Sequence, residues 1–280
     1  MRIAVLSDIH SNITALNACL REAERYAPDE YIFLGDFVSD CSSPAEVMDT
    51  LYALSAPCTF IRGNREEYLI RAAREGSDWR YDSQTGSLLY TLNALREKDI
   101  AFFEGLSNTG VWEREGCAPL LLCHGSPDGV RDRIDAGTEK ERLLAARFPG
   151  KTLLCGHTHI AFAETAGTTR FVNSGAVGVP SDGCPYARFA ILESDGGCRR
   201  DEIVTVEYDI EGEIGRMRAC GLFELAPCWA RAIAAQLRTG REWALDCIRL
   251  AGRLSIAAGA GRNDRIAERF WREAADRLGL

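Results

Sequence analysis

Long hydrophobic runs are missing from this sequence of 280 residues, and none approaches the roughly 18 residues that a membrane-spanning helix needs. Strand-like residues follow Met1 directly, which leaves no room for the charged region, apolar region and cleavage site of a secretory signal. Internal repeats and low-complexity segments are absent as well. We therefore expect a cytoplasmic protein without membrane association, and its 46% hydrophobic content is enough for a large buried core.

Positive charge is in deficit, because 33 Lys and Arg face 41 Asp and Glu and give a formal net charge of −8. This balance argues against DNA as the main partner, so an anionic substrate would have to be attracted by a local site. Residues 211–280 differ from the rest, since their twelve arginines and nine carboxylates give a net charge of +3 and leave −11 to the other residues.

The eleven cysteines include no C-x-x-C pair, and their number is odd. Three of them, Cys58, Cys123 and Cys155, lie inside apolar runs, where cysteine acts as a small buried hydrophobe. A cytoplasmic chain is also kept reduced. We therefore predict reduced thiols in the core rather than disulfides or a redox centre.

Histidine is scarce, and each of the four follows an apolar run that is typical of a buried strand. These histidines are His10, His124, His157 and His159. Three more residues of metal-ligand type follow runs of the same kind, namely Asp8, Asp36 and Asn64. Because ligands bind at the carboxyl ends of strands in such folds, we expect these seven side chains at one edge of the protein.

The first sixty residues alternate strands and helices, with predicted strands at 2–7, 31–34 and 59–61 and a helix at 12–24. This order is typical of right-handed crossovers in a parallel sheet. Asn12 either caps the first helix or contacts phosphate, and we favour the cap. Ser43-Pro44-Ala45-Glu46 has the form of a capping box with Pro at the first helical position.

Further helices are predicted at 66–73 and 87–97, and short strands dominate from residue 108 onward, interrupted by one helix at 138–147. This pattern predicts a second, mostly antiparallel sheet that packs against the first. Its strands are expected near residues 110–113, 119–123, 152–155, 161–165, 170–173, 187–192 and 203–208.

Residues 211–280 are predicted to form a helical extension packed on a domain of residues 1–210. Apolar residues in this tail recur at helical spacing in three stripes, which contain Trp229, Trp243 and Phe270. Such stripes either pack on the body and on one another, which we favour, or form the surface of a homodimer or another partner.

Each ligand-type residue alone has a simpler explanation as a helix cap, a turn residue or a satisfied core group. Seven of them at five strand ends indicate a metal site instead. Carboxylate, imidazole and amide ligands without a thiolate suit divalent Mn, Fe, Zn, Co or Ni rather than a structural cysteine-rich zinc site. Eight ligand bonds with one shared carboxylate would hold two ions, an arrangement used for in-line phosphoryl displacement.

Five ordered blocks of the sequence resemble the calcineurin-like metallophosphoesterases, in particular the small bacterial and archaeal branch. The blocks are Asp8-Ile9-His10, Gly35-Asp36, Gly63-Asn64, His124-Gly125 and Gly156-His157-Thr158-His159. The match spans about residues 2–208 and leaves the tail uncovered, and residues 173–178 also resemble a turn of that branch without its proline. The resemblance implies an α/β (α+β) fold of four layers, in which two facing mixed sheets are flanked by helices.

The resemblance also implies a division of ligands between two metal ions, with Asp36 as the bridge. One ion would be held by Asp8, His10, Asp36 and His159, and the other by Asp36, Asn64, His124 and His157. A hydroxide that spans the ions would attack phosphorus. The expected activity is hydrolysis of phosphodiester, phosphoanhydride or phosphomonoester bonds in small molecules such as nucleotides, with Asp36, Asn64, Arg65 and His124 taking part in catalysis.

One residue departs from the family pattern. Many relatives have a histidine at the position where this sequence has Arg65. A guanidinium does not release its proton near neutral pH, so Arg65 can stabilise charge but cannot act as a general acid. Alternatively, Arg65 turns away to pair with Glu66 or Glu67. The other arginines predicted to contact phosphate are Arg62, Arg131 and Arg133.

Two other functions have to be weighed against a phosphoesterase of small molecules. A non-catalytic scaffold on the same fold is disfavoured because every ligand position is filled. A protein serine/threonine phosphatase is disfavoured because the chain shows no long peptide-docking insertion.

Overall fold

The computed structural model describes residues 1–195 and 198–280, which contain ten strands and eleven helices. The strands are β1 (Arg2–Leu6), β2 (Glu30–Phe33), β3 (Cys58–Phe60), β4 (Thr109–Trp112), β5 (Leu120–Cys123), β6 (Thr152–Cys155), β7 (Phe162–Ala166), β8 (Thr169–Asn173), β9 (Ala187–Asp195) and β10 (Cys198–Val206). The helices are α1 (Ile13–Arg25), α2 (Pro44–Tyr52), α3 (Asn64–Glu75), α4 (Gly86–Ala94), α5 (Glu97–Gly105), α6 (Glu139–Arg147), α7 (Ile210–Ala219), α8 (Leu222–Leu225), α9 (Pro227–Thr239), α10 (Trp243–Ala257) and α11 (Glu268–Leu278).

The strands form two five-stranded sheets, in the orders β10-β9-β1-β2-β3 and β4-β5-β6-β8-β7. Strands β1, β2 and β3 run parallel, as the alternation of strands and helices predicts. Both sheets are mixed, since each also contains antiparallel pairs. The predicted fold of two facing mixed sheets flanked by helices is therefore confirmed.

Side chains of β1 alternate between two cores, because successive residues of a strand point to opposite faces. Ile3 and Val5 belong to the core between the sheets, where they meet residues of the second sheet such as Leu122 and Leu154. Ala4 and Leu6 belong to the core under the helices on the outer face. A separate cluster around Leu144 lies on the outer face of the second sheet.

The prediction of a mostly antiparallel second sheet is wrong. Of its four strand pairs, β5-β6 and β6-β8 are parallel, whereas β4-β5 and β7-β8 are antiparallel. The last two strands were also assigned to the wrong sheet, because β9 pairs with β1 and β10 pairs with β9. The β9 strand follows a loop that returns the chain to the first sheet, and alternating hydrophobicity does not specify which sheet edge a strand joins.

Two helix predictions also need correction. The helix predicted at 87–97 corresponds to α4, which ends at Ala94 because Leu95 has extended backbone, and α5 was not predicted. Ser43 makes no capping-box hydrogen bond. Arg216 from α7 donates to the Ser43 hydroxyl and pairs with Glu46. Both side chains of the expected capping box therefore contact the tail.

The Asn12 cap is confirmed, since its Oδ1 accepts a hydrogen bond of 2.9 Å from the backbone N–H of Ala15. Cysteines are free thiols at the ten positions whose side chains the structure describes, and Cys123 and Cys155 are buried whereas Cys58 is half-buried. The side chain of Cys198 lies outside the described residues.

Helices α7 to α11 pack on one another around a shared core that includes Ile233, Leu237 and Trp271. This core also contains Cys41 and Val179 from the body. A buried carboxylate joins the two parts, because Glu213 of α7 accepts hydrogen bonds of 2.7 Å from Thr14 and Ser42. The domain boundary at residue 210 stays a prediction, as does the homodimer. Among the described helices, none is long and apolar enough to cross a membrane.

Candidate metal centre

Loops at the ends of five strands bring all seven predicted ligands together. Asp8 and His10 follow β1, Asp36 follows β2, and Asn64 begins α3 after β3. The other three histidines follow β5 and β6 from the second sheet. The site therefore lies where the carboxyl ends of parallel strands from both sheets meet.

The first group of ligand atoms comes from Asp8, His10 and His159. The Nε2 atom of His159 lies 3.2 Å from Oδ1 of Asp8 and 3.1 Å from Nε2 of His10. His10 Nε2 in turn lies 3.8 Å from Oδ1 of Asp8. All three atoms are within 4.8 Å of one another, so one cation could contact them together.

The second group comes from Asp36, His124 and His157 and also meets that 4.8 Å limit. His124 Nε2 lies 3.5 Å from Oδ2 of Asp36 and 3.2 Å from the side-chain oxygen of Asn64. The same Asp36 oxygen is 3.7 Å from Nε2 of His10 in the first group. Asp36 therefore lies between the groups, where a shared carboxylate would have to be.

The other ring nitrogen of three histidines is fixed by a hydrogen bond. Nδ1 of His124 donates to the carbonyl of Leu34 at 2.7 Å, and Nδ1 of His159 donates to the carbonyl of Val179. Nδ1 of His10 contacts the carboxylate of Asp40 at 3.1 Å. Because carbonyl and carboxylate oxygens can only accept here, Nδ1 carries a proton in each ring, and Nε2 is the ring atom that a metal ion could bind.

The turn that carries His157 and His159 is held by the segment that resembles the family turn. The Asn173 amide donates to the Gly156 carbonyl at 2.8 Å and to the Thr158 hydroxyl at 3.0 Å. Thr158 therefore shapes the turn, and the two flanking imidazoles fall into different ligand groups.

Five of the seven predicted ligands have left-handed backbone, with φ values of 56° at Asp8, 50° at His10, 52° at Asp36, 64° at His157 and 59° at His159. Residues other than glycine rarely adopt positive φ, and such strain typically persists at functional sites. These conformations turn each side chain back across its strand end toward the centre.

Two glycines allow the ligand loops to approach closely. A Cβ atom on Gly63 would lie 2.2 Å from Oδ1 of Asp36. A Cβ atom on Gly156 would lie 2.0 Å from the Ser7 hydroxyl and 2.7 Å from a carboxylate oxygen of Asp8. A larger residue at either position would therefore displace a carboxylate that the site needs.

Charges in the centre shift the pKa values of its members strongly. Burial raises the pKa of Asp36, but the charge and hydrogen bond of His124 outweigh it and bring the value to about 2. Burial lowers the pKa of His10, whereas the nearby carboxylates of Asp40 and Asp8 raise it to about 9. Burial and the charge of His124 lower the pKa of His157 to about 4.

The donor set fits divalent cations. Asp8 Oδ1 is completely buried, points into the centre and has no hydrogen-bond partner among the described residues. A buried carboxylate oxygen without a partner is strongly destabilising unless a cation compensates it. Oxygen and imidazole nitrogen around two adjacent positions are the donors that Mn, Fe, Zn or Co bind.

A cavity of about 340 Å³ opens over the ligands. It is lined by three of the four predicted substrate-contact arginines, Arg65, Arg131 and Arg133. The structure does not bring Arg62 there, because its guanidinium donates to Asn108 and to the carbonyl of Phe103. Arg62 therefore does not line this cavity.

Arg65 faces the centre rather than its neighbours in sequence. Its Nη2 lies 3.1 Å from Asp40, and its Nε lies 3.9 Å from Asp36. Glu66 is occupied by backbone N–H groups, including those of Asp36 and Phe37. Pairing of Arg65 with Glu66 or Glu67, the alternative from the sequence, is not observed.

Several cavity residues were not identified from the sequence: Asp40, Tyr68, Val179, Ser181, Gln236, Glu242, Leu245 and Arg249. Four of these lie in the tail: Gln236, Glu242, Leu245 and Arg249. Trp229, from one of the predicted apolar stripes, and Ile233, one helical turn after it, line the cavity as well. The stripe showed an apolar helix face, but nothing in the sequence indicated that this face borders the metal centre.

Comparison with known proteins identifies the family of the chain. Residues 1–197 match the calcineurin-like phosphoesterase superfamily domain. An uncharacterized protein of Methanocaldococcus jannaschii is 25% identical over 233 residues, which cover 75% of this chain and 88% of that protein.

Two solved structures resemble the chain over most of its length. A metallophosphoesterase from Sphaerobacter thermophilus has 26% identity and a TM-score of 0.68 over 86% of this chain and 99% of that one. A hypothetical protein from Pyrococcus horikoshii has a TM-score of 0.71 with 20% identity over 85% of this chain and 98% of that one, which shows a shared fold. With the family domain matched over residues 1–197, the chain belongs to the calcineurin-like phosphoesterase superfamily.

Proposed function

We propose that the protein hydrolyses phosphoester or phosphoanhydride bonds of small molecules with two divalent metal ions. The observation that carries this proposal is the pair of ligand groups, Asp8-His10-His159 and Asp36-His124-His157, side by side under a cavity lined with arginines. Paired metal sites of this kind suit in-line displacement at phosphorus.

In the proposed centre, Asp36 would be shared by the two ligand groups and Asn64 would complete the second. The ions, when bound, supply an activated water and positive charge for the phosphoryl oxygens. The protein supplies the fixed positions, because the contacts that Nδ1 makes with oxygen atoms allow little movement of His10, His124 and His159, and the first two are also buried.

Arg65 is the residue of the chain best placed to contact a bound phosphoryl group. Its Nε is buried and has no hydrogen-bond partner within the described residues, and its guanidinium lines the cavity. The charges of Asp40 and Asp36 more than offset the effect of burial and raise its pKa further, so it keeps its proton. Arg65 would stabilise negative charge without protonating the leaving group.

The cavity favours a small substrate over a protein. Its volume of about 340 Å³ falls within the range of small-molecule sites, and helices α9 and α10 form part of its wall. Such a wall leaves little access for an extended phosphopeptide. The filled ligand set likewise disfavours the non-catalytic scaffold.

The test is hydrolysis of bis(p-nitrophenyl) phosphate by protein that has been stripped with a chelator and reloaded separately with Mn, Fe, Zn, Co or Ni. We expect metal-dependent turnover, with kcat/KM reduced about 1,000-fold in Asp36→Asn, because metal catalysis contributes several kcal/mol. The matched control is Asp49→Asn, whose carboxylate is exposed and pairs with Arg96.

Turnover that survives in Asp36→Asn would exclude Asp36 as the shared ligand. A lack of turnover with every metal, on this diester and on p-nitrophenyl phosphate and dinucleoside polyphosphates, would favour the scaffold.

A further inference from the structure

Asp40 is a buried carboxylate next to the metal centre that accepts contacts from five side chains. It is only 3% exposed, and it belongs to neither group of ligands. Its Oδ1 accepts from Ser87 at 3.1 Å and from Trp229 at 2.8 Å. Its Oδ2 accepts from Ser39 at 3.0 Å and also faces His10 and Arg65.

The two oxygens of Asp40 face different parts of the protein. On one side, the indole N–H of Trp229 comes from α9, in the helical tail. On the other side, Oδ2 lies 3.1 Å from Nδ1 of His10 and 3.1 Å from Nη2 of Arg65. A single carboxylate therefore connects the tail to a predicted metal ligand and to the arginine over the centre.

The backbone at this point is strained, which makes the connection dependent on its partners. Asp40 has φ of +67°, and Ser39 before it has φ of +110°. Such conformations persist only where surrounding contacts hold them. The backbone N–H of Asp40 donates to Ser87 at 3.2 Å, so Ser87 and Trp229 together fix the loop that presents Oδ2.

We propose that Trp229 and Asp40 are positioning residues through which the helical tail orients His10 and Arg65, so that the tail is part of the metal centre. This inference rests on the proposed function, since it assigns His10 to a metal and Arg65 to the substrate phosphoryl group. Trp229 acts on Asp40, and Asp40 acts on the other two.

The expected effect on metal binding follows from the role of Nδ1. A carboxylate on Nδ1 fixes the imidazole ring and makes Nε2 a stronger donor, and loss of such a partner typically weakens metal affinity about 10- to 100-fold. Removing the indole N–H leaves Asp40 in place but less restrained. Loss of the indole N–H should therefore weaken metal affinity less, on the order of 3- to 10-fold.

The chain supplies a matched control for this experiment. Trp271 of α11 belongs to the same tail core, with its ring 6.4 Å from that of Trp229. It is fully buried, and its indole N–H has no hydrogen-bond partner in the described part of the chain. Trp271→Phe thus removes the same group from the same core without breaking a hydrogen bond, and it perturbs packing at least as much.

The experiment compares Trp229→Phe, Asp40→Asn, the double variant and Trp271→Phe by calorimetric titration of metal-free protein with Mn²⁺, without any turnover. We expect the Kd for Mn²⁺ to rise in Trp229→Phe and more in Asp40→Asn, and to stay near the wild-type value in Trp271→Phe. The double variant should bind Mn²⁺ no more weakly than Asp40→Asn, because both changes act through one carboxylate.

A second titration addresses Arg65. Metal-loaded protein is titrated with inorganic phosphate, whose affinity should fall in Trp229→Phe and Asp40→Asn but not in Trp271→Phe. The proposal would be overturned if the two tryptophan variants had equal effects in both titrations. It would also be overturned if Asp40→Asn bound Mn²⁺ and phosphate with wild-type affinity.

The two proposals fail in different ways. If Trp229→Phe does not fold, Asp40→Asn decides by itself. If the wild-type protein binds Mn²⁺ but hydrolyses nothing, the proposed function fails while the positioning of His10 is still measured.

Discussion

Nη2 of Arg65 lies 3.1 Å from Oδ2 of Asp40, in the cavity over the candidate metal centre. An imidazole in contact with a carboxylate can donate a proton to a leaving group, whereas a guanidinium in the same contact cannot. The pair therefore places a guanidinium over the candidate metal centre but supplies no general acid. Leaving groups that need little protonation should be preferred.

Arg65→His should restore part of that missing acid. We expect the ratio of kcat/KM for 2-glycerol phosphate to that for p-nitrophenyl phosphate to rise about 10-fold or more, because general acids contribute most when the leaving group is a poor one. The ratio is measured on both proteins loaded with the same metal, as a function of pH.

Arg65→Lys is the control for charge. It should slow hydrolysis of both substrates without changing the ratio of their kcat/KM values. Wild-type protein that hydrolyses the alkyl ester as fast as the aryl ester would contradict the preference.

Stability should depend on a second buried carboxylate, which belongs neither to the ligand groups nor to the cavity. Asp99 accepts from the Arg96 backbone N–H at 2.8 Å and from the Tyr52 hydroxyl at 2.9 Å, and its side chain is fully buried. Burial raises the pKa of Asp99, but its hydrogen bonds with Arg96 outweigh this and lower it below the usual 3.8.

Because the folded pKa of Asp99 is depressed, its contribution to stability is present above pH 3.8 and is lost as pH falls through the folded value. Asp99→Asn should reduce the free energy of unfolding by about 1–3 kcal/mol at neutral pH. Urea unfolding at a series of pH values would show this difference shrinking below pH 3.8. A difference that grows on acidification would refute the assignment.

The convergence of the candidate metal ligands could be predicted from the sequence because each one follows an apolar run by one to four residues. That spacing requires only that the run be a buried strand and that parallel strands end at one edge. Asp8, Asp36 and His124 satisfy both conditions. Their roles as ligands stay predictions until an ion is bound, but their convergence follows from local pattern and topology.

Asp40 and Trp229 could not be predicted in the same way. Asp40 lies in a loop beyond the strand end, where an aspartate is an ordinary turn residue. Trp229 is 189 positions away, and its helical stripe is explained fully by packing. The contact between them depends on where the tail docks, which is a tertiary property that neither local sequence reveals. The assignment of β9 and β10 failed for the same reason.

Among the described residues, Arg131 is a cavity arginine whose guanidinium pairs with no carboxylate. Its guanidinium lies over the Tyr68 ring at 4.6 Å from the centroid, and it has no carboxylate partner within residues 1–195 and 198–280. Arg133 pairs with Asp135 at 3.0 Å, and Arg249 pairs with Glu242 at 3.2 Å. Arg131 is therefore available to a second anionic group on the substrate.

Arg131→Gln should raise KM for a nucleoside polyphosphate about 10-fold, the loss expected for one charge-assisted hydrogen bond at a partly solvated site. KM for p-nitrophenyl phosphate, which has no second anionic group, should change little, and kcat should change little for both. The effect should weaken at high salt, because an exposed charge is screened. Steady-state kinetics of Arg131→Gln and Arg133→Gln provide the measurement, and an equal or larger effect at Arg133 would show that Arg131 is not the selective cation.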